Sequence, residues 1–147
     1  MLGVGVTLGA ARPDISTVEA FKKTLLAAKS VVYIDPKVGT SGKHVAEVLD
    51  RLGIAREVNA KAKLGSGGYI VEPVGKGEIE LGIHQVSEIL PVKGVKLVGE
   101  LPKELQKYTV YVAVPVKSSP AVLALIEHLT GPQAKARLAQ AGYTPPE

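Results

Sequence analysis

The segment Val31-Val-Tyr-Ile-Asp35-Pro-Lys-Val-Gly39-Thr40-Ser41-Gly42-Lys43-His44 constrains the fold more than any other part of the chain. Val31 to Ile34 is rich in β-branched residues and has no polar alternation, which predicts a strand buried on both faces. Val45, Val48, Leu49 and Leu52 then share one helical stripe that ends at Gly53, so Gly42 to Leu52 is expected to be a helix with a glycine stop. Strand, small-residue turn and helix in direct succession make a βα unit whose turn has the layout of an anion cradle. Amides of a helix's first turn, the positive end of its dipole and the Thr40 and Ser41 hydroxyls can converge on one negative ligand. The same residues also read as an ordinary N-cap, with Thr40 or Ser41 satisfying the helix's own amides.

The rest of the chain repeats this plan. Gly3 to Leu8, Ala62 to Leu64, Ile79 to His84 and Leu97-Val98 read as strands. Ser16-Thr-Val-Glu19 has the spacing of a capping box ahead of Phe21, Leu25 and Ala28, so a helix is expected there. Gly65-Ser66-Gly67-Gly68 leads into a weak helix, Tyr69 to Gly75, interrupted by Pro73. Alternating strands and helices predict an α/β unit with a mainly parallel sheet and right-handed crossovers. Ligands of such sheets sit beyond the carboxyl ends of the strands, where Asp35 to Ser41, Gly65 to Gly68 and His84 to Ser87 all fall. Tyr108 to Val116 reads as the longest strand. Ala121 to Thr130 carries Val122, Leu125, Ile126 and Leu129 on one helical face, and Gly131-Pro132 separates it from a last helix, Gln133 to Ala141. The tail from Thr144 to Glu147 is expected to fray.

The 147 residues, 46% hydrophobic and 22% charged, suit one core and one compact unit. With no cysteine, disulfides and thiolate metal sites are excluded. A net charge of +4 spread along the chain, with only 4% aromatic residues, argues against nucleic-acid binding and fits a small anionic ligand. No apolar run approaches the roughly 20 residues of a membrane helix. Met1-Leu-Gly-Val-Gly-Val lacks the parts of an export signal, so the chain is expected in the cytoplasm if Met1 is its natural start.

Motifs for other chemistries fail on spacing. A phosphate-binding loop needs a glycine where Lys37 stands and a hydroxyl where His44 stands, and Gly3-Val-Gly5 lacks the third glycine of a dinucleotide fingerprint. His44, His84 and His128 have no zinc-ligand spacing. Ser41 could be grouped with a histidine and Glu88 as a triad, but no G-x-S-x-G elbow exposes a nucleophile. Catalysis has no positive support, and neither cofactor nor metal is expected. His84, at a strand end beside Gln85 and Ser87, reads as a neutral histidine satisfied by backbone.

With these residues in view, the chain resembles the periplasmic solute-binding proteins of ABC transporters, close to the molybdate-binding type. The resemblance rests on the segment from Pro13 to Phe21, Leu25 to Ser30, Asp35-Pro36 with Gly39-Thr40-Ser41-Gly42, the segment from Glu80 to Pro91, and the closing Gly131-Pro132 helix. It implies a type 2 periplasmic-binding fold of two α/β lobes, here lacking most of the first lobe. It implies further that residues 9–107 are the second lobe, residues 1–8 and 108–116 hinge strands, and residues 117–147 helices that return to the first lobe. The ligand contacts carried over are Gly39, Thr40, Ser41, Gly42 and, at the other strand end, Gln85, which stands where the closest molybdate binders have a tyrosine-containing segment.

The implied function is non-enzymatic binding of a small oxyanion or acidic solute in the periplasm, with an ABC transporter's membrane subunit as partner. An effector-sensing or assembly module of the same fold, working as an oligomer, is the alternative. Without its first lobe the sequence stands as a fragment, as a chain whose start lies too far downstream, or as a chain completed by another. The stripe on Ala121 to Thr130 would then face water, and a homodimer through the C-terminal helices is expected.

Overall fold

A computed structural model describes residues 1–144. The expected frayed tail lies, beyond Thr144, outside the described residues. The chain divides into two compact units, Met1–Tyr108 and Thr109–Glu147. The first has enough strands and helices to cover both faces of its own sheet; the second has no strand among the described residues.

In the first unit, β1 (Leu2–Thr7), β2 (Val31–Ile34), β3 (Ala62–Gly65), β4 (Leu81–Gln85) and β5 (Val95–Glu100) form one sheet in the order β3-β2-β4-β1-β5. β2 is parallel to β3 and β4, and β1 is antiparallel to both β4 and β5. The sheet is therefore mainly parallel, with β1 alone running against the other strands.

The helices are α1 (Val18–Ala27), α2 (Thr40–Arg51), α3 (Ala55–Asn59), α4 (Glu72–Gly75) and α5 (Val86–Ile89). Phe21 and Leu25 of α1, Val45, Val48 and Leu49 of α2 and Val58 of α3 pack on Leu2, Val4, Val6, Val31, Tyr33, Leu81 and Ile83. On the opposite face Val71, the N-cap of α4, Val74 within it and Ile89 of α5 pack on Val32 and Ile34. This gives the three layers of an α/β lobe.

The Leu-Gly-Val-Gly-Val pattern of β1 is explained by these two faces. Its large residues enter the first core, while its glycines make room on the second. A β-carbon at Gly3 would lie 2.9 Å from Val86 Cγ2, one at Gly5 2.8 Å from Val95 Cγ1, and one at Gly82 2.7 Å from Val71 Cγ1.

The N-cap of α1 is Thr17, whose hydroxyl accepts from the Ala20 amide at 3.1 Å. The capping box expected from Ser16 and Glu19 does not form, because the Asp14 carboxylate takes the Ser16 amide at 2.9 Å and its hydroxyl at 2.7 Å. The short helices α3 and α5 were too brief to show a periodic stripe.

In the second unit, α6 (Pro120–Thr130) and α7 (Pro132–Gln140) are separated by Gly131. Ser119 caps α6, accepting from Val122 N at 3.3 Å. Residues 113–117 and Val122, Leu125, Ile126 and Leu129 of α6 line an open apolar hollow of ≈ 460 Å³. No residue of α6 is buried, and Val110, Tyr111, Val112, Val114 and Val116 are all exposed.

Tyr108 to Val116 was expected to be a strand, yet no ladder includes it among the described residues. Alternating β-branched residues favour extended backbone, but only a neighbouring strand turns that backbone into a sheet.

Candidate functional site

The carboxyl ends of β3, β2 and β4 lie side by side on one edge of the sheet. Asp35, the residue after β2, organises the turn into α2. Its carbonyl accepts from Val38 N at 3.0 Å and Gly39 N at 3.2 Å, and its carboxylate accepts from Lys37 N at 2.8 Å. Its own amide donates to Gly65 O at 2.8 Å, joining this turn to the end of β3.

Neither hydroxyl caps α2. The N-cap is Gly39, in extended conformation with φ −144° and ψ 147°, and Thr40 and Ser41 are the first two helical residues. The first-turn amides of Thr40, Ser41 and Gly42 have no intrahelical acceptor by position. Neither they nor the two hydroxyls have a partner among the described residues, and the ordinary N-cap reading of Thr40 or Ser41 does not hold.

Two glycines fix this helix start against β2. A β-carbon at Gly39 would lie 2.6 Å from Ile34 Cγ2, and one at Gly42 only 2.2 Å from the Ile34 carbonyl oxygen. The first turn contains no acidic residue, while Lys37 and Lys43 stand on either side of it. An anion here would meet the favourable end of the helix dipole, an effect of about 0.3–1 kcal/mol at an exposed site.

Gln85, the last residue of β4, is half-buried on the strand next to β2. Its Oε1 accepts from the Met1 amino group at 3.2 Å. The sequence-derived site residues thus sit on one sheet edge in two groups, Gly39 to Gly42 at the helix start and Gln85 at the neighbouring strand end.

The sequence did not reveal how the third loop is held. Loop 66–69 begins after β3, and Gly67 and Gly68 take φ +132° and +67°. His84 Nε2 lies 3.0 Å from the Gly68 carbonyl oxygen. Backbone thus meets one ring nitrogen of the expected backbone-satisfied histidine, while its buried Nδ1 has no partner among the described residues. Burial lowers the pKa of its ring, opposed by the Gly68 hydrogen bond and the Glu88 charge. The only signal for this was the position of His84 at a strand end.

His44 belongs elsewhere, its Nε2 2.7 Å from the Leu105 carbonyl. Among the described residues no three His, Cys, Asp or Glu side chains gather to hold a metal ion. Nor is any described helix long and apolar enough to cross a membrane.

Residues 1–144 match the family model of the bacterial extracellular solute-binding protein. A curated relative, aconitate isomerase from a Pseudomonas species, is 35% identical over 152 aligned residues, covering 98% of this chain and 55% of its own length. Two solved structures share the fold. The substrate-binding domain assigned to a molybdenum ABC transporter from Clostridium difficile superposes with a TM-score of 0.73 at 16% identity, over 99% of this chain and 63% of that one. The periplasmic molybdate-binding protein of Azotobacter vinelandii gives 0.60 at 14% identity, over 99% and 66%. The chain thus spans about half the length of the curated relative it matches. The family match over nearly the whole sequence, with a curated relative 35% identical over 98% of the chain, establishes that this chain belongs to the bacterial extracellular solute-binding proteins.

Proposed function

We propose that the unit Met1–Tyr108 binds a small anionic solute at the start of α2, as the substrate-binding component, or part of one, of an ABC-type uptake system outside the cytoplasm. One observation carries the reading: three first-turn amides and two hydroxyls stand without protein partners among the described residues, at a helix start pinned to β2 by Gly39 and Gly42. The N–H groups of a helix start hold anions without a resident cation. Gln85 is proposed as a second contact from β4, and residues 1–8 and 108–116 as the connections to a first lobe. Affinity is expected to be low for this chain alone, because a ligand held by one lobe keeps much of its water.

The ligand class is open between two chemistries that amides and hydroxyls serve equally, a tetrahedral oxyanion and a carboxylate. The molybdate-related structures favour the first. The aconitate isomerase relative favours the second, with isomerisation of a carboxylic acid as a role of a longer protein. Calorimetric titration with molybdate, sulfate and aconitate separates them.

We extend the proposal to assembly. The apolar face of α6, with Leu125 and Leu129 about half exposed at 56% and 48%, is covered by a second copy of the chain. A stripe of this kind on a soluble helix marks an interaction surface.

A further inference from the structure

We propose that His84 is a proton-operated latch on loop 66–69, holding the loop down when the ring is neutral and releasing it when the ring is protonated. The latch needs no ligand and is independent of the anion cradle.

The geometry at one ring carries it. His84 is 5% exposed, on the face of β4 that carries the second core. Because a carbonyl only accepts, the 3.0 Å contact with Gly68 O requires the hydrogen on Nε2. Nδ1 then holds a lone pair, buried and without a partner among the described residues. A proton added there becomes a buried charge with no acceptor, which is costly.

The surroundings offer little compensation. On β1 the ladder neighbour of His84 is Gly3, which has no side chain. β2 pairs with β4 through Val31 with Leu81 and Val32 with Gly82, and its contribution to the second core is the apolar Val32 and Ile34. Val71 at the N-cap of α4 and Val74 within it lie against the adjacent Gly82. The Gly68 hydrogen bond and, less, the charge of Glu88 on α5 favour the protonated ring, and burial outweighs both.

Loop 66–69 depends on such ties, because glycines at 67 and 68 have little conformational preference of their own. One end is held by the Asp35 amide on Gly65 O and the other by His84 on Gly68 O. With the loop lifted, the ring meets water and titrates near the ordinary histidine value of about 6.5. The pKa is lower with the loop down, so closure is fully favoured above about pH 6.5 and is lost as pH falls below it. Between pH 7 and pH 5 the closing equilibrium falls by up to about 25-fold.

Amide hydrogen exchange on the unliganded chain at pH 7 and pH 5, corrected for intrinsic exchange, tests this. The reporters are the Ile70, Glu72 and Asp35 amides, which donate to Gly68 O, Tyr69 O and Gly65 O. Their protection is expected to fall at pH 5, by no more than about 25-fold, while the interior of α2 keeps its protection. In His84→Gln, which retains a donor but cannot titrate, the fall is expected to vanish. Nitrogen NMR of the wild-type ring provides a readout that no variant can spoil, with an Nε2–H tautomer at pH 7 expected. Unchanged reporter protection, an equal fall in His84→Gln, or an Nδ1–H ring at pH 7 would overturn the latch.

Discussion

Gly42 approaches Ile34 so closely that a β-carbon on it would lie 2.2 Å from the Ile34 carbonyl oxygen. The obstacle is backbone, which cannot swing aside as a side-chain end does, so α2 would have to move off β2. Gly42→Ala is therefore expected to destabilise the first unit by about 1–3 kcal/mol, read as a lower denaturation midpoint at unchanged slope. A neutral result would mean that the helix start is not fixed as described.

Gln106 acts on Leu2 as a short piece of strand would. Its Oε1 accepts from Leu2 N at 2.8 Å and its Nε2 donates to Leu2 O at 2.9 Å. Gln106→Ala leaves the Leu2 amide without this partner on a buried residue, at a cost of about 1–3 kcal/mol. Equilibrium unfolding in urea measures it, and a change within about 0.5 kcal/mol, typical of an uninvolved surface site, would contradict the pairing.

At the start of α1 the cap is Thr17, with Ser16 engaged by Asp14. Thr17→Ala is expected to cost about 1 kcal/mol, and more than Ser16→Ala. Thermal melts of the two variants decide, since a capping box would reverse the order.

Self-association through α6 is expected at micromolar concentration. Sedimentation velocity should show a dimer for the wild type and a monomer for Leu125→Glu, which puts a charge on the exposed apolar face. A wild-type monomer would dismiss the dimer.

The sequence revealed most where side-chain pattern alone decides structure. Val31 to Ile34, the stripe of α2 and the strand-end position of the glycine and hydroxyl turn were all legible, because burial on both faces and helical periodicity leave direct marks. Capping was less so: Thr17 and Ser16 are both good caps, and Asp14 decided between them. At α2 two hydroxyls competed for a cap that glycine took, because the close approach to Ile34 is a tertiary constraint absent from local preference. Tyr108 to Val116 has strand composition without a partner, and pairing is a property of the neighbour rather than of the segment. The bond from His84 to Gly68 spans 16 residues and needed the fold to be seen.

The central claim is that α2's exposed first turn receives an anion. Isothermal titration of the purified chain with molybdate, sulfate and aconitate, repeated on Ser41→Ala, addresses it most directly. The account expects saturable heat with at least one of these anions and a loss of about 10- to 100-fold in affinity on removing the hydroxyl, as for a hydrogen bond to a charged group. Absence of heat with every anion, or identical binding by Ser41→Ala, would contradict it.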